Sequence, residues 1–135
     1  MWLNSSEPLS MKGVAAVRIV VGLLLIVHGS QLFNSEEMLS YQPWLTDLNV
    51  PLPLFSAYVG KGVEFIGGLC FILGIWIRAA SVFLMATFVF ITVVMGGSKI
   101  FTDGQHPFLF FLFSLLFFFV GDSGYGVKRL WSQWY

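Results

Sequence analysis

Lys61 and Glu64 lie inside an apolar stretch that runs from Leu54 to Trp76. An ionised group in hydrocarbon costs about 2.5–3.5 kcal/mol on insertion scales unless it meets a partner or water. Three positions apart, the two side chains are neighbours on one helical face and can form an ion pair. Ala57, Gly60, Gly67 and Gly68 occupy the same face, and residues this small let a second backbone come close. That face is therefore predicted to look at protein rather than at lipid. An acid and a base in such an interior can hydrogen-bond or exchange protons with a polar head group. The same pair can equally act as a structural lock that fixes packing register.

Three further polar residues fall at a comparable depth. His28 lies a little over one turn from the end of the first apolar block, level with Lys61, and Gln31 sits above it on a neighbouring face. His106 stands at the mouth of the last block, just before Pro107. Glu64, Lys61, His28, Gln31 and His106 are the candidate pocket or ligand-binding residues. Each has a plainer reading: His28 as a helix-to-helix hydrogen bond, His106 as a residue of the capping region. Arg18 is expected to snorkel to the interface or to bond carbonyls of a neighbouring helix. Arg78, in a short turn, is a topology determinant, and Asp122 belongs to a solvated exit. Catalytic residues are not evident: no nucleophile stands beside a base, and no phosphate-binding glycine loop follows a strand. A metal site is unsupported, because the histidines and Glu64 come from three helices without HxxxH or ExxH spacing. Cys70, the single cysteine, reads as a small buried hydrophobe, and one cysteine excludes dithiol chemistry within the chain.

The elements that must position these residues are transmembrane helices. Of the 135 residues, 57% are hydrophobic and 10% charged, against about 25% charged in an average soluble domain. The apolar residues come in blocks long enough to cross about 30 Å of hydrocarbon. The expected fold is all-α: a single-domain integral membrane four-helix bundle with helices at about 14–33, 54–76, 79–97 and 107–123. Between the first two lies an acidic outer loop, 34–53, holding Glu36, Glu37 and Asp47, with Ser35 as a helix-cap candidate for one interfacial turn. Tyr41 and Trp44 anchor it at the headgroups. The breaker run Pro51-Leu52-Pro53 ends it. Pro107 suits the first turn of the last helix, which is the shortest and is expected to draw on the glycine-containing exit from Gly121. An interfacial tail, 124–135, and a short N-terminal arm with Trp2, Leu3 and Leu9 complete the reading.

Basic residues set the orientation. With the N-terminus in the cytoplasm, Lys12, Arg18, Arg78, Lys128 and Arg129 all lie inside and Lys99 lies outside, so both termini are predicted to be cytoplasmic. The zero formal charge gives no reason to expect nucleic acid as a partner.

The order of these features resembles the DoxX family of small bacterial membrane proteins. The likeness runs from Arg18 and Gly22 to His28-Gly29, through Pro51 to Pro53, into Glu64-Phe65-Ile66-Gly67-Gly68. It continues through Leu73-Gly74-Ile75 and Arg78-Ala79-Ala80 to the phenylalanine-rich last helix and Gly121-Asp122-Ser123-Gly124. The family pattern commonly carries a lysine after the His-Gly element. Here Leu32 stands in that place, with Lys61 as the alternative source of the charge. The resemblance implies a four-helix protein of the bacterial cytoplasmic membrane, similar in some members to the membrane subunit of thiosulfate:quinone oxidoreductase and in others associated with soluble redox enzymes.

Three functional classes follow. The leading one is an accessory subunit of a redox system, not an enzyme by itself, with a pocket for a quinone or similar lipid-soluble carrier. The second is a structural subunit that holds a protein partner, or a second copy, at the membrane. The third is a small permease.

Overall fold

The computed structural model describes residues 11–95 and 105–121. The expectations for Trp2, Leu3 and Leu9, for Lys99, for Asp122 and for the tail 124–135 lie outside the described residues. Within them the chain is all-helical: α1 (Met11–Gly29), α2 (Ser35–Asp47), α3 (Pro53–Leu73), α4 (Ile77–Phe90) and α5 (Gln105–Val120). A 3₁₀ turn, Ser30–Phe33, extends α1, and a π-helical turn, Ile91–Met95, extends α4.

Among the described residues three helices are long and apolar enough to cross a bilayer: Lys12–Phe33 with 22 residues, Pro53–Leu73 with 21 and Ile77–Val94 with 18. At a rise of about 1.5 Å per residue, α5 is only about 24 Å long, shorter than the hydrocarbon it would have to cross. Large apolar side chains such as Val20, Ile66, Phe83 and Phe119 cover the outside of the bundle and are exposed. Water would not tolerate so continuous an apolar surface; lipid does.

Local chemistry sets the helix ends. Pro53 opens α3 at a position whose N–H has no intrahelical acceptor. Gly74, left-handed at φ 70°, closes it, and its N–H and that of Ile75 both reach the Cys70 carbonyl at 2.8 and 3.1 Å. The second helix is therefore shorter than the 54–76 read from the sequence, because Gly74 supplies a stop inside the apolar run. Gly121, at φ 65°, ends α5 in the same way. The helix expected to reach 123 stops at Val120.

The segment 34–53 is not the loop expected from its acidity. It holds the 13-residue helix α2, with two buried side chains, Met38 and Leu45, one face apart by seven. The cap is Asn34 rather than Ser35: its side-chain oxygen accepts from the amides of Glu36 and Glu37 at 3.2 and 3.4 Å. The acids then sit in the first turn, where the helix dipole favours negative charge. Mean polarity hid this amphipathic period.

Packing holds the bundle together, since lipid gives no hydrophobic drive for helices to associate. α1 and α3 lie antiparallel and pack most closely. Gly22 and Gly68 face each other so tightly that a Cβ on either would come within 2.8 Å of the other's carbonyl oxygen. α4 packs on α3 and α5. The core between them is Leu25, Phe71, Leu84, Phe88 and Phe117, with Phe71 edge-on to Phe117 at 5.2 Å between ring centres.

Candidate functional site

Glu64 points from the middle of α3 into the bundle and is 3% exposed. Helical spacing puts Lys61 one turn away on the same face, and its Nζ lies 3.3 Å from Glu64 Oε2. The ion pair foreseen from the sequence is thus formed, with the carboxylate inside. Gly67 is buried against the side chain of Leu84, and Gly68 against Gly22. Gly60 is different. A Cβ there would meet only Thr87 Cγ2, at 4.0 Å. Where Gly67 and Gly68 let neighbouring elements close in, Ala57 and Gly60 leave space unfilled.

That space is a cavity of about 280 Å³ at the end of the bundle where α1 finishes and α3 begins. Glu64, Lys61, His28 and His106 all line it. The stacked rings of Phe88 and Phe110 form an aromatic wall, 5.2 Å between centres and 19° from parallel. The His28 ring stands edge-on to Phe110 at 5.9 Å. The backbone carries part of this shape. The π-helical turn begins at Ile91, which lines the cavity beside Phe90.

Gln31 does not line the cavity; it acts one step back. Its Oε1 accepts a hydrogen bond from the Tyr41 hydroxyl at 2.7 Å, and the Tyr41 ring lies 5.7 Å from Lys61 Nζ. A chain of contacts, a hydrogen bond from Tyr41 to Gln31, an ammonium over the Tyr41 ring and the Lys61–Glu64 pair, therefore links the end of α1, the inner face of α2 and the middle of α3. Tyr41, Trp44 and Leu45 of α2 all line the cavity. Sequence reading assigned Tyr41 and Trp44 to headgroup anchoring; the signal that would have placed Tyr41 here is its spacing from Met38, which puts Met38, Tyr41 and Leu45 on one helical stripe.

The arginines take other places. Arg18 is 1% exposed, held inside the protein rather than extended to the interface by snorkelling. Arg78 lies at the far end of the bundle, where its Nε donates to the Phe118 carbonyl at 3.2 Å and its guanidinium covers Gly121. It caps α5 in addition to any effect on topology. Among the described residues no three His, Cys, Asp or Glu side chains are grouped to hold a metal ion.

An all-helical chain with lipid-compatible flanks and a charged pair enclosed in an aromatic cavity defines a small helical membrane protein with an internal polar site. The family model DoxX matches residues 13–97, which takes in α1 to α4 and the paired charges. The chain belongs to the DoxX family. Comparison with curated proteins and with solved structures gives no match.

Proposed function

We propose that this DoxX-family chain is an accessory membrane subunit of a redox system, and that its cavity receives the head group of a quinone or a similar lipid-soluble carrier. One observation carries the reading: an ion pair, Lys61–Glu64, lines a mainly apolar cavity that has the stacked rings of Phe88 and Phe110 as one wall. A flat ring with a carbonyl on each side needs apolar faces and a hydrogen-bonding group at each edge. The stacked rings of Phe88 and Phe110 offer one such face. Lys61 is a donor for one carbonyl, Glu64 a partner for a hydroxyl, and His28 and His106 stand at the rim. The cavity's size suits a ring head group, with an isoprenoid tail left in the bilayer. Such carriers move electrons together with protons, and the residues here hold and position protons; no residue of this chain is assigned an electron-transfer role.

Within this reading α5 is the fourth span. The distribution of basic residues supports cytoplasmic termini, with the α2 end of the bundle toward the outer side of a bacterial cytoplasmic membrane. A second reading has its own observation. Glu36, Glu37 and Asp47 are exposed on α2, an acidic face suited to a basic protein partner.

The test is binding of a short-tailed benzoquinone to the purified protein in lipid nanodiscs. Loss of one hydrogen bond to a charged group is worth about 1.5–3 kcal/mol, so Glu64→Gln is expected to weaken binding about tenfold or more. Equal affinity in the two proteins would refute the carrier reading. Co-purification of a stoichiometric partner that is lost when Glu36 and Glu37 are replaced by glutamine would favour the second.

A further inference from the structure

We infer that α2 is a hinged lid over one side of the cavity and that the Tyr41 hydroxyl is its latch, so that opening of the Tyr41–Gln31 bond widens the way in for a guest. The lid regulates the site proposed above, but its motion needs no guest and can be measured without one.

Three observations carry the inference. The first is position. Tyr41, Trp44 and Leu45 line the cavity from one side, so α2 must move for that side to open.

The second is how lightly α2 is held. Only Met38 and Leu45 are buried. Pro43 sits inside the helix, where it removes one backbone hydrogen bond and crowds the preceding turn. An element with few buried contacts and a broken ladder opens at low free energy. The contacts that α2 makes through polar groups of Tyr41 are the bond to Gln31 and the approach of the ring to Lys61.

The third is the hinge. Leu52, at φ 47°, is left-handed without being glycine, a conformation its side chain resists, and Asn49, at φ 59°, takes the same conformation where α2 ends, its N–H donating to the Thr46 carbonyl at 3.0 Å. Small φ and ψ changes at two such residues re-aim the whole helix. The far side of the hinge is fixed, because Ser56 Oγ donates to the Pro51 carbonyl at 2.8 Å and ties the connection to α3. At the other end Asn34 alone, extended at φ −106° and ψ 102°, joins α2 to the 3₁₀ turn. A lightly packed helix between two narrow joints, latched by one hydroxyl, has the parts of a lid.

The latch fits that chain of contacts. Gln31 belongs to the α1 side and Lys61 to α3, so Tyr41 bridges the two walls of the mouth when the lid is shut. Removing its hydroxyl leaves the ring, its burial and its contact with Lys61 in place.

The experiment measures cavity access directly. In a Cys70→Ser background, Thr87→Cys places a thiol on the cavity wall, and its modification by a small water-soluble maleimide is timed in nanodiscs. Loss of a single hydrogen bond predicts that Tyr41→Phe labels about two- to tenfold faster. Gln31→Leu is expected to match it, and the double variant to go no faster than either, since all three remove the same bond. A thiol at exposed Ser40 should label at one rate throughout. An unchanged rate at Thr87→Cys in Tyr41→Phe, or a double variant whose effects multiply, overturns the latch. Adding a short-tailed benzoquinone whose ring is fully substituted, so that it does not arylate the thiol, separates the two proposals. If it slows labelling of the Thr87→Cys protein, the cavity takes the carrier. If the latch variants accelerate labelling but the quinone gives no protection, the lid stands and the carrier reading falls.

Discussion

Two glycine-to-alanine substitutions should shift stability in opposite directions, and the structure fixes both signs. A Cβ on Gly29 would lie 2.5 Å from the Phe65 amide nitrogen, 2.7 Å from its Cα and 2.8 Å from its Cβ. Those separations fall about 1 Å inside the ~3.5 Å at which attraction is best. The nearest atoms are backbone of α3, which no rotamer change can move, so α1 would have to lift away. Overpacking of that kind typically costs about 1–3 kcal/mol. Gly62 is on the same helix as Phe65, yet a Cβ there meets nothing within 4 Å. Without a clash, the intrinsic preference for alanine in a helix interior remains, worth about 0.5–1 kcal/mol in favour of the variant. Reversible unfolding by SDS in mixed micelles, followed by circular dichroism, measures both. Gly29→Ala is expected to unfold at lower SDS fraction than the unmodified protein and Gly62→Ala at equal or higher. If Gly29→Ala is as stable as the parent, α1 and α3 do not approach as closely as described. If Gly62→Ala is strongly destabilised, that face is covered by something in the membrane, and the bundle described is incomplete.

The charged pair makes a second test. Lys61→Met leaves Glu64 buried without its partner, and breaking one side of a buried pair costs about 3–5 kcal/mol. Lys61→Met with Glu64→Met removes both charges and should recover most of that loss in the same unfolding assay, while benzoquinone binding stays weakened. A double variant as unstable as the single would mean that the pair contributes more than mutual neutralisation. At the lid, Asn34→Ala removes the cap of α2, worth about 1 kcal/mol. Amide hydrogen exchange should accelerate in the first turn of α2, at Glu36 and Glu37, and stay unchanged in α3. Equal acceleration in both helices would show that α2 does not open on its own.

Much of the candidate site was legible because it is local. Lys61 and Glu64 pair three residues apart on one helix, and 3.6 residues per turn brings them together whatever the neighbours do. The same period put Gly67 and Gly68 on the inward face. Gly74 was visible in the sequence as well, yet a hydropathy reading ran past it to Trp76, because apolar length alone does not register a left-handed stop. α2 was lost for a related reason: its charges raised the mean polarity of 34–53, while the stripe of Met38, Tyr41 and Leu45 carried the helix.

The amino-acid order by itself determined that this chain needs lipid around it, where its apolar blocks lie, and that an acid and a base share one face of α3. Tertiary structure alone decided that Tyr41 reaches Gln31 and Lys61 together, that Arg18 is enclosed rather than drawn out to the interface, and that Gly60 opens a cavity while Gly68 closes a contact. The reason is physical. Spacing within a helix is set by backbone geometry, but the depth and rotation of one helix against another are set by contacts such as Gly22 against Gly68. Those contacts join residues far apart in the chain, and no period along it records them.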